Sequence, residues 1–204
     1  SYQNKIDTSI FVKGLEHNKI VFVNGRIEKI DFKHEDKNKV LIKEELKSLD
    51  KFNNINSLIN LNNAFTNKYY TITTKEGYLF KKPLIIYHST TSSIYKKNIN
   101  LRLDFKLENN SSLKLIDYFE DDSNDNFINI FYNFDLAKNS ILKNYKIDHK
   151  DNKNIKYSYN HIDQKENSIS ETFILSSGSS FLKNEIHCNL NEKYSSAFVN
   201  GIFK

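Results

Sequence analysis

Four serines, at positions 112, 140, 168 and 196, stand 28 residues apart, and each belongs to a small polar pair: Ser111–Ser112, Asn139–Ser140, Asn167–Ser168 and Ser195–Ser196. A fixed period of this length constrains the fold more than any single motif, because each unit can bury its apolar face only against its neighbours. Each unit reads as a strand, a short polar turn and a second strand. The pairs are LRLDFKL and LKLIDYF, INIFYNF and ILKNYKI, IKYSYNHI and ISETFIL, and finally FLKNEIHCNL and AFVNGIF.

One residue after each serine stand Leu113, Ile141, Ile169 and Ala197, and seven after it stand Phe119, Ile147, Leu175 and Phe203. Side chains alternate along a strand, so both offsets fall on one face. Stacked in columns, they predict a mainly β chain whose core is a right-handed parallel β-helix of about 28-residue, two-strand coils. Leu113, Ile141 and Ile169 are expected to form one interior line. An antiparallel meander is the competing arrangement. The first strand of unit one, with Leu101, Leu103, Phe105 and Leu107, is out of phase with Ile130, Tyr132, Phe134, Ile162, Ile186, Cys188 and Leu190 in the units that follow. A one-residue slip reverses a strand's face, and a loop or bulge near residues 96–100 is expected to absorb it.

Ahead of the repeat, residues 18–32 read as a hairpin turning at Asn24–Gly25. Over 41–65, Leu41, Leu46, Leu49, Phe52 and Ile55, then Leu58, Leu61 and Phe65, recur at helical steps and predict two short amphipathic helices. Strands resume near Tyr69, with one beginning just after Pro83. The expected organisation is a small α/β region over 1–66 and a β-helix core over 67–204. The chain has no Met, and its last unit stops at AFVNGIFK, so it is expected to be a piece cut short at the C-terminal end of the core.

Composition narrows the function classes. The chain carries a net charge of +5, but lysines and acids are interspersed and EDDSND (120–125) sits mid-chain. Only a clustered basic patch is a nucleic-acid footprint, so no nucleic-acid partner is expected. No run approaches the ~20 apolar residues of a membrane helix. One cysteine, Cys188, precludes an internal disulfide and fits a reducing, cytoplasmic setting.

Catalytic signals are sparse. His187–Cys188 suggests a metal or nucleophile pair, but neighbouring strand residues point to opposite faces. Cys188, in phase with Ile186 and Leu190, reads as core filler. The remaining histidines lack zinc spacing, the five glycines form no phosphate loop, and EDDSND lacks the glycine and downstream glutamate of a calcium loop. No catalytic, cofactor-binding or metal residue is assigned. Paired aspartates keep a β-helix carbohydrate-active enzyme or adhesin as the alternative.

Four segments resemble a known family. IVFVNGRI (20–27), LNNAF (61–65), YYTITTKEGYLFKKPLIIYHS (69–89) and GSSFLKNEIHCNLNEKYSSAFVNGIF (178–203) are similar, in order and spacing, to SufB/SufD family proteins of the SUF iron–sulfur cluster assembly machine, on the SufD side. The resemblance implies a right-handed parallel β-helix behind a small N-terminal domain. It also implies a non-catalytic scaffold that pairs with SufB and SufC, with the ATPase activity in SufC. The iron–sulfur cluster would be a transient product of the assembled complex. The family's His- and Cys-bearing segment and its SufC-docking helices match nothing in these residues, so no family site residue carries over.

Overall fold

The computed structural model describes residues 11–46, 56–123, 125–148, 152–177 and 179–204. Three strands, β1 (Asn18–Val23), β2 (Arg26–Asp31) and β3 (Val40–Leu46), precede a helix, α1 (Ser57–Phe65). The first coil strands follow: β4 (Lys68–Thr74), β5 (Leu84–Thr90), β6 (Asn98–Leu107) and β7 (Ser112–Asp121). The remaining coils contribute β8 (Phe127–Leu136), β9 (Ile141–Asp148), β10 (Asn152–Gln164), β11 (Ile169–Ser176), β12 (Ser179–Leu190) and β13 (Ser196–Phe203).

Each coil gives one strand to each of two facing sheets. One runs β13-β11-β9-β7-β5-β1-β2 and the other β12-β10-β8-β6-β4-β3. From β4 onward every strand pairs in parallel with its counterpart in the next coil. A meander would require antiparallel pairs, so the chain is a β-solenoid. Residues 18–31 form the expected hairpin, with Asn24 and Gly25 at φ of 51° and 78°. Two consecutive positive φ values give the tight turn whose twist matches paired strands. β1 also pairs in parallel with β5, so it is buried on both faces. Ile20 and Phe22 join the main core, while Val21 and Val23 pack with Ile85 and Tyr87 on the outer side.

The serine turns are present, in a different register. Ser111, Ser140, Ser168 and Ser195 each donate an Oγ hydrogen bond to the carbonyl three residues back, at 2.7–2.8 Å. The residue before each, Asn110, Asn139, Asn167 or Tyr194, has φ between 56° and 62°. Asparagine tolerates this left-handed conformation better than most residues. The outer two corners are therefore Ser111 and Ser195, not Ser112 and Ser196.

That shift overturns the expected interior line. Leu113 pairs with Leu142 and Leu142 with Ser170, and these three point inward. Ile141 is 37% exposed, whereas Leu142 is 0% exposed. Ile147 and Leu175 also face outward, leaving Phe119 as the buried member of the second column, while Phe203 shares the inward phase of Ser176 but is 67% exposed on the last coil. The phase slip falls elsewhere too. Leu101↔Ile130, Leu107↔Leu136 and Tyr118↔Ile147 are all 29 apart, whereas Phe127↔Ile155 are 28 apart. The extra residue lies between β7 and β8, in the stretch containing the acidic run, and not near residues 96–100, where β6 pairs with β8 from Asn98 onward without a shift.

The helix expectation held for its second half. Asn56 Oδ1 accepts hydrogen bonds from the Leu58 and Ile59 amides and starts α1. Its buried side is Ile59, Asn62 and Asn63, while Phe65 is exposed. Asn62 Nδ2 donates to the carbonyls of Leu101 and Asn129, at 3.1 and 2.8 Å. Main-chain acceptors on the sheet, together with Ile59 packed against Phe131, Tyr157 and Tyr159, choose the helix face. Leu41 and Leu46 lie in strand β3, paired antiparallel with β4, because a free sheet edge offers that segment more backbone partners than a lone helical turn. Leu49, Phe52 and Ile55 lie outside the described residues.

The one-residue register has a direct test. Leu142→Ala is expected to cost about 2–5 kcal/mol, and Ile141→Ala less than about 1 kcal/mol. Urea denaturation of the two variants checks it, and a reversed order would place β9 out of register.

Candidate functional site

The core changes character along its axis. Leu103, Phe105, Leu113 and Leu115 fill the first coil, but inward positions further on hold Asp117, Asn144, Lys146, Asp148, Lys156, Ser158 and Asn160. Asp117 sits in the same strand phase as Leu113 and Leu115, and it is fully buried. Its Oδ1 accepts from His88 Nε2 at 2.7 Å and from the Tyr132 hydroxyl at 2.7 Å, and its Oδ2 accepts from Lys146 Nζ at 2.8 Å. His88 and Tyr132 come from β5 and β8, and Lys146 is the register partner of Asp117 on β9.

Aromatic rings enclose this cluster. The His88 ring stacks between Phe22 and Phe119, with centroids 5.6 and 4.7 Å away. Lys146 Nζ lies 4.1 Å from the Tyr132 ring centroid, a cation–π contact. A second buried pair follows, with Lys156 Nζ 2.9 Å from Asp148 Oδ2 and 4.7 Å from the Phe119 ring centroid. Burial pushes the Asp117 pKa up, but the attraction and hydrogen bonds of Lys146 and His88 outweigh it and hold the carboxyl well below the usual range. The same burial, reinforced by Asp117, drives the Tyr132 hydroxyl well above its ordinary pKa.

The cluster is satisfied and closed. Beside it lies a cavity of about 20 Å³ whose wall includes Lys146, Asp148, Lys156, Ser158 and Asn184. That is room for a water molecule, not a substrate. Larger hollows lie outside: a groove of about 390 Å³ on β9, β11 and β13, lined by Tyr145, Phe173 and Phe198, and one of about 490 Å³ beside Lys96, Lys97 and Lys153. The arrangement orders and fixes charge, and it presents no nucleophile to an open pocket.

Cys188 faces inward in register with Ile162 and packs against the main core, as expected from its phase. Burial pushes its thiol pKa up, partly offset by a hydrogen bond with Ser170. His187 is exposed on the opposite face, with its ring 5.0 Å from Tyr159. The structure therefore separates the tempting pair. It also gathers His161, Asp163, Asn189 and Asn191 on that outer face, where His161 Nε2 is 3.1 Å from Asp163 Oδ2. Among the described residues no group of three or more His, Cys, Asp and Glu could hold a metal ion. Nor is any described helix long and apolar enough to cross a membrane. Sequence reasoning missed the Asp117 cluster. The available signal was an aspartate in LKLIDYF and a lysine in ILKNYKI, 29 residues apart, one more than the period, so that a fixed 28-residue column sets Asp117 beside Tyr145 instead.

With that geometry established, comparison with known families is informative. The family model for the SufBD core domain of SUF system FeS cluster assembly matches residues 88–203. The chain belongs to the SufBD family. The match runs from His88 in β5 to Phe203 in β13, covering the coils that hold the buried charges. Membership supports a role in SUF iron–sulfur cluster assembly. No curated protein matches the chain.

Two outcomes test this site. Asp117→Ala is expected to cost about 3–5 kcal/mol, because it strands a buried Lys146, and pairing Asp117→Leu with Lys146→Met should recover much of the loss. The folded Asp117 pKa lies below the unfolded value of about 3.9, so its contribution is complete above about pH 4 and fades as pH falls further. The stability gap between wild type and Asp117→Asn, followed by denaturation at each pH, should narrow in that acid range. For Cys188, iodoacetamide should label the folded SufBD core far more slowly than the urea-unfolded chain. Fast labelling in the folded state would contradict its inward placement.

Proposed function

We propose that this chain is a scaffold subunit of the SUF iron–sulfur cluster assembly complex, of the SufD type, that pairs with SufB and recruits SufC. The observation carrying the reading is the SufBD core match over residues 88–203, spanning consecutive coils of the solenoid. The four quoted segments that resemble SufD proteins supply the finer assignment. In this reading the subunit performs no bond-making chemistry. It offers a rigid two-sheet surface to its partners, and ATP hydrolysis resides in SufC. The iron–sulfur cluster is the cargo of the assembled complex, and the setting is the cytoplasm. The family match favours this reading over a β-helix carbohydrate-active enzyme or adhesin.

Co-expression of the tagged chain with SufB and SufC tests the proposal. One complex containing all three is expected on size exclusion, with ATP hydrolysis that disappears when SufC is omitted. If the folded chain elutes alone while SufB and SufC associate without it, the scaffold reading fails.

A further inference from the structure

The polar interior extends beyond the ion pairs. β9 and β10 face each other across the core, where Asp148 meets Lys156 at 2.9 Å and Lys146 meets Ser158 at 3.2 Å. Inward residues alternate along both strands, so the next facing pair is Asn144 and Asn160. Both are almost wholly buried, at 1% and 0% exposure. Neither Nδ2 nor Oδ1 of Asn144 has a hydrogen-bond partner, and neither does Asn160 Oδ1. Asn160 Nδ2 makes only long contacts, to Ser158 Oγ at 3.5 Å and the Glu185 carbonyl at 3.4 Å.

Buried amides without partners are uncommon, and two at facing strand positions point to a ligand. The unpaired set combines an amide donor with two carbonyl acceptors and carries no net charge. An anion would meet the two acceptors and a cation the donor, each unfavourably. A small neutral molecule that donates and accepts at once satisfies both. The preceding facing pair, Lys146 and Ser158, lines a cavity of about 20 Å³ whose wall includes neither asparagine, and a hollow of that size in this part of the core has the scale of a water molecule.

We propose that Asn144 and Asn160 form an internal hydration site, where ordered water bridges the two amides inside the solenoid. The site continues the polar line that begins at Asp117 and Lys146. It stands apart from the scaffold assignment and holds or fails independently of it.

Two measurements decide the matter. In the ¹⁵N-labelled chain, magnetisation transfer from water should reach the Asn144 Nδ2 protons, assigned by their loss in Asn144→Leu. Transfer is expected in the folded state, and its absence overturns the proposal, including the case in which the amides pair directly. The second measurement is the urea midpoint of Asn144→Leu. If water bridges the amides, the substitution strips Asn160 of its partner and the midpoint falls. If the amides are dry, it removes two unpaired atoms and the midpoint rises, which also overturns the proposal. Should the variant fail to fold, the water-transfer measurement on the wild-type chain decides alone.

Discussion

Successive coils stay in step through main-chain hydrogen bonds made at the corners as well as within the strands. The amide of Asn110 donates to the Lys138 carbonyl at 2.9 Å, Asn139 to Glu166 at 2.9 Å, and Asn167 to Lys193 at 3.1 Å. Each donor is a residue at positive φ, and that backbone twist turns its N–H along the solenoid axis. Side chains reinforce the column, as Asn139 Nδ2 donates to Asn110 Oδ1 at 2.9 Å. A coil that lost its left-handed residue would leave a corner amide unpaired and let the next strand slide.

Charge burial depends on that alignment. An ionised carboxylate in an apolar core is tolerable only with cations and donors at hydrogen-bonding distance. Lys146 reaches Asp117 because their strands are paired without a slip, and His88 arrives from the preceding coil. A shift of one residue would turn Lys146 outward and strand Asp117. The buried pairs therefore select one register among several that hydrophobic burial alone would permit.

Much of this architecture was legible in the sequence, for physical reasons. The period survives because every coil must bury one face and turn two corners, so small polar residues recur at the corners. The drift within the period was not legible. A coil lengthens by one residue between β7 and β8, and a fixed 28-residue column cannot register this, which is why Ile141 was expected where Leu142 sits. α1 was visible through its spacing, but its buried face was not, because Asn62 and Asn63 turn inward toward hydrogen-bond partners. The Asp117 cluster escaped for a related reason. A hydrophobic-column reading discounts charged residues, although these occupy inward positions as regularly as leucine does.

The helix carries a mechanical consequence. Asn62 bonds to carbonyls on β6 and β8, Asn129 Nδ2 returns a bond to the Leu58 carbonyl, and Asn56 at the other end reaches Tyr157 on β10 and Glu185 on β12. One short rod is thus bolted to four adjacent strands of one sheet, while the opposite sheet carries no such brace among the described residues. A load that bends or stretches the stack meets more resistance on the braced side. Strain then concentrates in the seven-stranded sheet, giving the solenoid a preferred direction of flexure.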